Sequence, residues 1–508
     1  MMPTRLSLLL CCTVAVLAGC KVGPDYVSPD LHEPDKWYAE LTDGLSEGKA
    51  DLSRWWTLLE DETLNELIEQ AAGNNLNLEL AYQRVIEAQA LRGVAASNRW
   101  PDIDGVGSAQ IRETSDRIDP LSVNGGSSNV YSIGASAVWE LDVWGRVSRL
   151  IEAADADLAA VREGYRDVLV VLLAQVGLEY IELRTLQERI RLADVNVKLQ
   201  EGTLKLTQDR KDAGLVSELD VRQAEQNLAR TKSQVPILRL FLGQTENRIA
   251  VLLGANPGSL DEKLSKAGSI PKLPKTDTVI GPLEALRRRP DVRQAERILA
   301  AQTARIGVAE AELYPQFSLS GSFGFDGLNG SLSDTFNSDA ISSSFGPQFR
   351  WNLFDGGAVE GNIAAQKART AQALDGYRQT VLLALEEVEN SIIAYAQQSR
   401  RRALLGESVT AAQRAVELVD TLYKDGLTDF QNVLDSQRSL SQEQDALAVT
   451  EGAVVQALVQ LYKALGGGWN PEAHSSASEG SSSTGGGASA AEKAGKPDDN
   501  TDTEKADK

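Results

Sequence analysis

Cysteine and histidine, the side chains that most often bind metals or act as nucleophile and base, are sparse in this chain. Of 508 residues three are cysteine, and Cys11, Cys12 and Cys20 all fall in the first twenty. The chain after residue 20 therefore has no disulfide and no thiolate metal site. Histidine occurs twice, as His32 in a proline-rich entry and His474 in a serine-rich tail. A histidine-based triad or a histidine-ligated metal would have to use one of those two. Serine, aspartate and glutamate are plentiful, but no spaced nucleophile, base and orienting group emerges, and there is no G-x-S-x-G elbow or P-loop. The glycine-rich stretch 321–327 lacks a following lysine and reads as strand packing. The expectation is no enzyme, no metal and no cofactor. A formal net charge of −21 also argues against a nucleic-acid partner, which needs cations on phosphates.

The one chemically pointed feature is Cys20. Arg5 supplies a positive start, and residues 6–17 form an apolar run too short to span a bilayer comfortably. The run ends in Leu17-Ala18-Gly19-Cys20, small residues before a cysteine as in a bacterial lipobox. Residues 1–19 then read as a lipoprotein signal peptide and Cys20 as the lipidated first residue of the mature chain. Lys21, rather than aspartate, follows it, which fits an outer-membrane address. No later stretch approaches a transmembrane helix, so a membrane-crossing part has to be β-barrel.

The body that must position any site is one plan written twice. A shift of 212 residues carries Gly164-Tyr165-Arg166 onto Gly376-Tyr377-Arg378, Trp139 onto Trp351 and Gly214-Leu215 onto Gly426-Leu427. Further upstream the shift is 214: Gly93-Val94-Ala95 onto Gly307-Val308-Ala309, and Trp100-Pro101 onto Tyr314-Pro315. The period is far longer than a solenoid repeat, so the two copies are halves of one domain. The expected organisation is a lipidated N-terminal periplasmic segment over 20–60, a first repeat over 61–258, a linker over 259–281, a second repeat over 282–470 and a disordered polar tail over 471–508. Each repeat reads helix, two strands, very long helix, long helix.

The strands alternate strictly. Tyr131, Ile133, Ala135, Ala137, Trp139 and Leu141 interleave with Ser132, Gly134, Ser136, Val138, Glu140 and Asp142. Phe317, Leu319, Gly321, Phe323 and Phe325 interleave with polar or small residues in the same way, as do Phe345, Phe349, Trp351 and Leu353. A transmembrane barrel needs one apolar face and one polar face; a soluble sandwich with one wet face satisfies the same pattern. Strands of about 10 to 12 residues suffice to cross a bilayer when tilted. Trp100, Trp139, Tyr314 and Trp351 fall at matching strand ends, as an interfacial aromatic belt would. Pro347 conflicts with its strand unless a bulge or strand start absorbs it.

The helices are unusually long. From about residue 147 to 211 the pattern stays helical, a length of ~100 Å at ~1.5 Å per residue. The next helix has a 3-4 seam of Val221, Ala224, Leu228, Thr231, Val235, Leu238, Leu242, Thr245, Ile249 and Leu252, the spacing of a coiled coil. Pro236 should kink this copy. Gly214 and Gly426 read as the turns of two helical hairpins. Four strands cannot close a barrel. Two chains would give eight strands, filled by their own side chains, whereas three would give twelve and leave a passage.

Several ordered motifs carry a resemblance. They are Cys20-Lys21-Val22-Gly23-Pro24-Asp25-Tyr26, Trp139-Glu140-Leu141-Asp142-Val143-Trp144-Gly145-Arg146, Arg288-Arg289-Pro290-Asp291-Val292, Trp351-Asn352-Leu353-Phe354-Asp355-Gly356-Gly357 and Leu434-Asp435-Ser436-Gln437-Arg438. Over about residues 20 to 470 the chain resembles the TolC family of outer-membrane efflux proteins, in its OprM/NodT lipoprotein branch. The resemblance implies a mainly α fold with transmembrane β: a homotrimer with a 12-stranded β-barrel and an α-helical barrel, docked to a periplasmic adaptor protein and an inner-membrane pump. It implies adaptor contacts at the hairpin tips, here Gly214, Leu215, Val216, Ser217, Gly426, Leu427 and Thr428. It implies a periplasmic gate at Asp435 and Arg438, with Gln431 where the family often has leucine. The expected function is passive export of small toxic compounds, drugs or metal ions, powered by the partner pump. An exit duct for type I protein secretion would use the same pipe, and a coiled-coil spacer lipoprotein is a third reading.

Overall fold

The computed structural model describes residues 21–30, 34–42, 44–113, 127–266, 268–274, 277–328 and 334–470. Cys20, both histidines, the signal segment, the strand-linking loop over 114–126 and the tail over 471–508 lie outside the described residues.

In chain order the elements are β1 (Leu45–Glu47), α1 (Glu62–Asn74), α2 (Leu76–Ser97), β2 (Asp102–Glu113), β3 (Ser127–Leu141), α3 (Arg146–Asp212), α4 (Glu218–Leu252), α5 (Asp261–Leu264), β4 (Asp277–Val279), α6 (Pro282–Arg288), α7 (Pro290–Ala311), β5 (Gln316–Leu328), β6 (Ile341–Arg350), α8 (Ala358–Lys424) and α9 (Phe430–Ala464). The shifts read from sequence carry α2 onto α7, α3 onto α8 and α4 onto α9, end for end. The long helices α3 and α8 have 67 residues each, about 100 Å of rise. Each runs beside two shorter helices in succession: α3 beside α2 and then α4, α8 beside α7 and then α9.

Both long helices start from a capped turn. The Asp142 carboxylate accepts from the Val147 and Ser148 amides at 2.8 Å, and Asp355 accepts from Gly357, Ala358 and Val359. These amides are the unpaired donors of a helix start, and they hold the Asp355 carboxyl below its usual range, Val359 contributing most. Gly145 and Gly357 sit just before the helices at φ of 77° and 90°, which favours glycine.

The four long strands form one antiparallel sheet, β2-β3-β5-β6. β3 reaches 15 residues and β5 13, longer than the pattern predicted, because both extend towards the loop end. Register preserves the alternation: Ser136 pairs Ser322, which pairs Ser344, while Ala135 pairs Phe323 on the opposite face. Hydroxyl pairs Ser108–Ser132 and Ser322–Ser344, each 2.8 Å, bridge strands at equivalent points of the two repeats. Pro347 needs no bulge. It lies opposite Leu319 in β6, and the pairing of β5 with β6 runs unbroken through it. Pro236 likewise does not interrupt α4; its ring is on the exposed side, so the freed carbonyl meets water.

The main core lies where the shorter helices meet end to end. Trp55 stacks on Tyr462 with centroids 5.6 Å apart, among Leu64, Ile68, Tyr180, Ile181, Ile249, Val454 and Leu458. The seam predicted for α4 is buried at Val221, Ala224, Leu228, Thr231, Leu238, Thr245 and Ile249. The N-terminal segment and the inter-repeat linker, read separately in sequence, come together: β1 pairs parallel with β4, and Trp37 Nε1 donates to the Ile280 carbonyl at 2.9 Å. Helix ends are closed in parallel ways. Asn75 Nδ2 donates to the Leu252 carbonyl at 2.8 Å, and at the equivalent place Arg289 Nη1 donates to Ala464 at 2.7 Å. Arg288 adds bonds to Gly466 and Trp469 carbonyls, so the Arg-Arg-Pro-Asp motif is a clasp on the end of α9.

Candidate functional site

Three regions hold the residues singled out from sequence: the sheet and the aromatic residues at one end of it, the hairpin tips, and Gln431, Asp435 and Arg438 beside one tip. Among the described residues no helix is long and apolar enough to cross a membrane. The sheet has the composition for that task. Its apolar face carries Ile103, Ile133, Phe323, Phe345 and Phe349, and all of these are exposed on the single chain. A sheet face this apolar and uncovered marks contact with lipid or protein.

The predicted girdle gathers at one end of the sheet. Trp139 Nε1 donates to the Arg99 carbonyl at 3.0 Å, and its repeat Trp351 donates to Leu313 at 3.1 Å. Trp144, not singled out from sequence, stacks on Tyr314 at 4.7 Å and donates to Pro315. Each of these three indole N–H groups thus has a backbone carbonyl as its partner, as an aromatic side chain with one polar end requires. Trp100 is exposed beside them.

At the far end of the helices the two hairpins turn in the same way. Gly214 and Gly426 take φ of 71° and 74°. Leu215 N bonds to Arg210 O at 2.9 Å, and Leu427 N to Leu422 O at 2.8 Å, the closing bonds of a helix C-terminus. Ser217 and Asp220 form a capping box that opens α4. Thr428 accepts from Asn432 Nδ2 at 2.9 Å. Leu215 and Leu427 are exposed, one on each tip, while Val216 is partly buried in a small tip core with Tyr423, Phe430, Val433 and Leu434. Arg210 ties the hairpins together: it donates to the Tyr423 and Lys424 carbonyls and lies over the Tyr423 ring at 4.7 Å. A cation at the last carbonyls of α8 is favourably placed. Burial raises the Tyr423 hydroxyl pKa. The spacing of the turns exposed the tips in sequence, whereas nothing in it pointed to Arg210.

Gln431, Asp435 and Arg438, the residues expected at the gate, lie together within roughly the first two and a half turns of α9. Gln431 Nε2 donates to both Asp435 oxygens at 3.0 Å, and Arg438 Nη1 stands 3.5 Å from the same carboxylate. Arg438 Nε reaches Asn227 Oδ1 on α4 at 3.3 Å. The arginine therefore joins one hairpin to the other. Gln431, which replaces an expected apolar group, serves here to hold the carboxylate.

Comparison with known proteins agrees with this geometry. The sequence matches the outer membrane efflux protein family over residues 67–255 and 282–467. It is 33% identical over 463 residues to Nodulation protein T of Rhizobium leguminosarum bv. trifolii, covering 90% of this chain and 96% of that one. It is 29% identical over 469 residues to the toluene efflux pump outer membrane protein TtgI of Pseudomonas putida, covering 90% and 97%. Among solved structures, the outer-membrane channel OprN superposes with a TM-score of 0.83 at 36% identity, covering 89% of this chain and 100% of that one. The matched stretches span both repeats and the helices of both tips, so the spacer reading is set aside. This chain belongs to the outer membrane efflux protein family, and it is an outer-membrane channel for export.

Proposed function

We propose that three copies of the chain close into a 12-stranded barrel continued by a helical tube, and that this conduit passively exports small toxic compounds supplied by a periplasmic adaptor and an inner-membrane pump. Lipid on Cys20 anchors it, the tips at Gly214–Ser217 and Gly426–Thr428 meet the adaptor, and Asp435, Arg438 and Gln431 form the periplasmic gate. The repeats 61–258 and 282–470 are the wall units of the tube.

The observation that carries the closure is the mismatch in burial between repeats. In the chain, α3 packs on α7 and α9 as well as on α2 and α4, whereas α8 packs chiefly on α7 and α9. Among the described residues its equivalents of the first two contacts, to α2 and α4, are at most slight, leaving α8 at one edge of the helix layer and α2 and α4 at the other. Positions equivalent by the 212 shift then differ. Val170 on α3 is 4% exposed and its counterpart Leu382 on α8 is 61% exposed; Ile181 is 0% exposed and Ile393 50%. A second copy supplying α2 and α4 would cover them. Such a head-to-tail contact closes a ring.

The sheet edges obey the same arithmetic. Moving the pair Asp102–Val138 by 214 and 212 lands on Gln316–Arg350, an observed pair. Moving the observed pair Ser136–Ser322 in the same sense lands on Gln348 of one copy and Ser108 of the next. That register keeps both polar faces on one side and leaves no open edge, which a barrel requires. The Gln348→Cys, Ser108→Cys variant is expected to form disulfide-linked dimers and trimers on oxidation. Directly opposed residues are ~5 Å apart at Cα, within disulfide range, and the remaining cysteines all lie within the first twenty residues. Pairing Gln348→Cys with Gly107→Cys puts the thiols on opposite faces and should not link. Efficient linking of the slipped pair, or a monomeric wild-type protein, would overturn this assembly. The export role is tested in cells. Deleting the gene in a strain without a redundant homologue is expected to raise sensitivity to at least one class of toxic compound, and unchanged sensitivity and export across a broad panel would count against it.

A further inference from the structure

A buried arginine near the start of α3 is spent on the first residues of the mature chain. Arg149 is 1% exposed. Its Nε donates to the Val22 carbonyl at 3.0 Å and its Nη2 to the Gly23 carbonyl at 2.9 Å. The same Nη2 lies 2.8 Å from an Asp25 carboxylate oxygen, and Nη1 is 3.0 Å from Glu152. Glu152 in turn pairs with Lys21, and the Val22 amide donates to the Trp144 carbonyl at 3.1 Å. A guanidinium has donors in a rigid fork, and here two neighbouring carbonyls and a carboxylate of one peptide segment occupy it.

The surfaces around the segment are cut to its backbone. A Cβ on Gly23, at φ of 84°, would lie 2.3 Å from the Gly307 Cα; one on Gly145 would lie 2.9 Å from the Lys21 Cα; and one on Gly307 would meet the Arg149 side chain at 2.8 Å. Glycine is therefore required at three separate points of contact.

The internal repeat provides a control. The 212 shift carries Arg149 onto Gly361 and Glu152 onto Ala364. α8 starts, caps and extends as α3 does without either side chain. The clamp is thus an addition to the fold rather than a condition of it.

We propose that Arg149 and Glu152, on their glycine bed, are a receptor for residues 21–25 that fixes where the acyl chains on Cys20 enter the membrane. This rests on the lipidation of Cys20 proposed above. Lys21 is held beside Gly145, between the end of β3 and the start of α3, and the acylated residue is one Cα step of ~3.8 Å from it along the chain. That is the level of Trp139, Trp144 and Tyr314, and hence the periplasmic leaflet. Past the clamp the next fixed points of the segment are Tyr26 and Ser28 on Glu296. Without the clamp the lipid would swing on a leash of about six residues, ~20 Å at full extension. Arg149 is a positioning residue for the anchor.

The test is hydrogen exchange by mass spectrometry on the full-length lipoprotein in nanodiscs of phosphatidylethanolamine and phosphatidylglycerol. Arg149→Ala is expected to speed exchange over residues 21–26 by about tenfold or more, with the peptides of α3 beyond its first turns, β3 and β5 unchanged. Gly23→Ala, which leaves Arg149 in place, attacks the contact from the other side and is expected to do the same, so misfolding of one variant does not remove the test. Unchanged exchange in a folded variant, with Cys20 lipidated, would sink this proposal alone. An unmodified Cys20 in the mass of the N-terminal peptide would sink the anchor reading and this proposal with it.

Discussion

Ile393→Asp is expected to leave the protomer folded and to abolish the proposed trimer, while the same substitution at Ile181, its equivalent in the other repeat, destroys the protomer itself. The two isoleucines occupy one position of a duplicated helix but differ in what covers them. Ile181 is buried in the main core, among Leu64, Ile68 and Leu458. A carboxylate there has no partner, and the loss is at least about 4 kcal/mol, enough to remove folded protein from the membrane. Ile393 is half exposed in the single chain. Aspartate there keeps its carboxylate in water and costs little until a neighbour arrives, and then the charge must be desolvated at the contact. Native mass spectrometry and near-ultraviolet circular dichroism separate the outcomes. A stable trimer of the Ile393→Asp protein with full export would mean that this face of α8 looks onto water, and the proposed order of protomers around the ring would fall.

Arg438→Ala is expected to raise single-channel conductance in planar bilayers several-fold and to make cells sensitive to antibiotics too large for an intact outer membrane. Arg438 touches Asn227 on α4 and Asp435 on its own helix, so its removal loosens the hold of the neighbouring hairpin on α9, leaving the apolar tip core and the Gln437–Thr203 bond. It also leaves Asp435 with Gln431 as its donor. In the proposed trimer three such carboxylates, brought close by symmetry, repel one another, and the end of the tube should widen. Arg438→Lys keeps the charge but loses the fork and should fall between. Wild-type conductance in the alanine variant would show that the pair is a solvated helical contact and that closure is made elsewhere, with Arg210 and its grip on Tyr423 the next place to look.

Much of this molecule was legible in its sequence because its signals are periodic and repeated. Strict alternation identified the strands, the 3-4 spacing of Val221 to Ile249 identified the seam of α4, and glycines at equal positions marked the two tips. Duplication made each of these readable twice, which is why the helix ends agree to within a residue or two. That Gln431, Asp435 and Arg438 are neighbours could be read as well, since all three lie within two turns of one helix, whose geometry is local.

What escaped were the contacts between distant segments made by single side chains. The pairing of β1 with β4, the hold of Arg149 on Val22 and Gly23, the clasp of Arg288 and Arg289 on the end of α9, and the bridge from Arg210 to Tyr423 join residues more than a hundred positions apart. An arginine with an extended, exposed-looking pattern around it carries no periodic mark of what its fork will meet. The same limit applied to Pro236 and Pro347. Proline alters the local backbone in a known way, but whether that disturbs a helix or a strand depends on whether the lost donor faces water or a neighbour. The sequence by itself determined the long strands and helices, their order, the duplication and the family, because these follow from local pattern and period. Only the tertiary structure decided which equivalent surfaces are buried and which are left open, because burial depends on the neighbour that the chain does or does not bring.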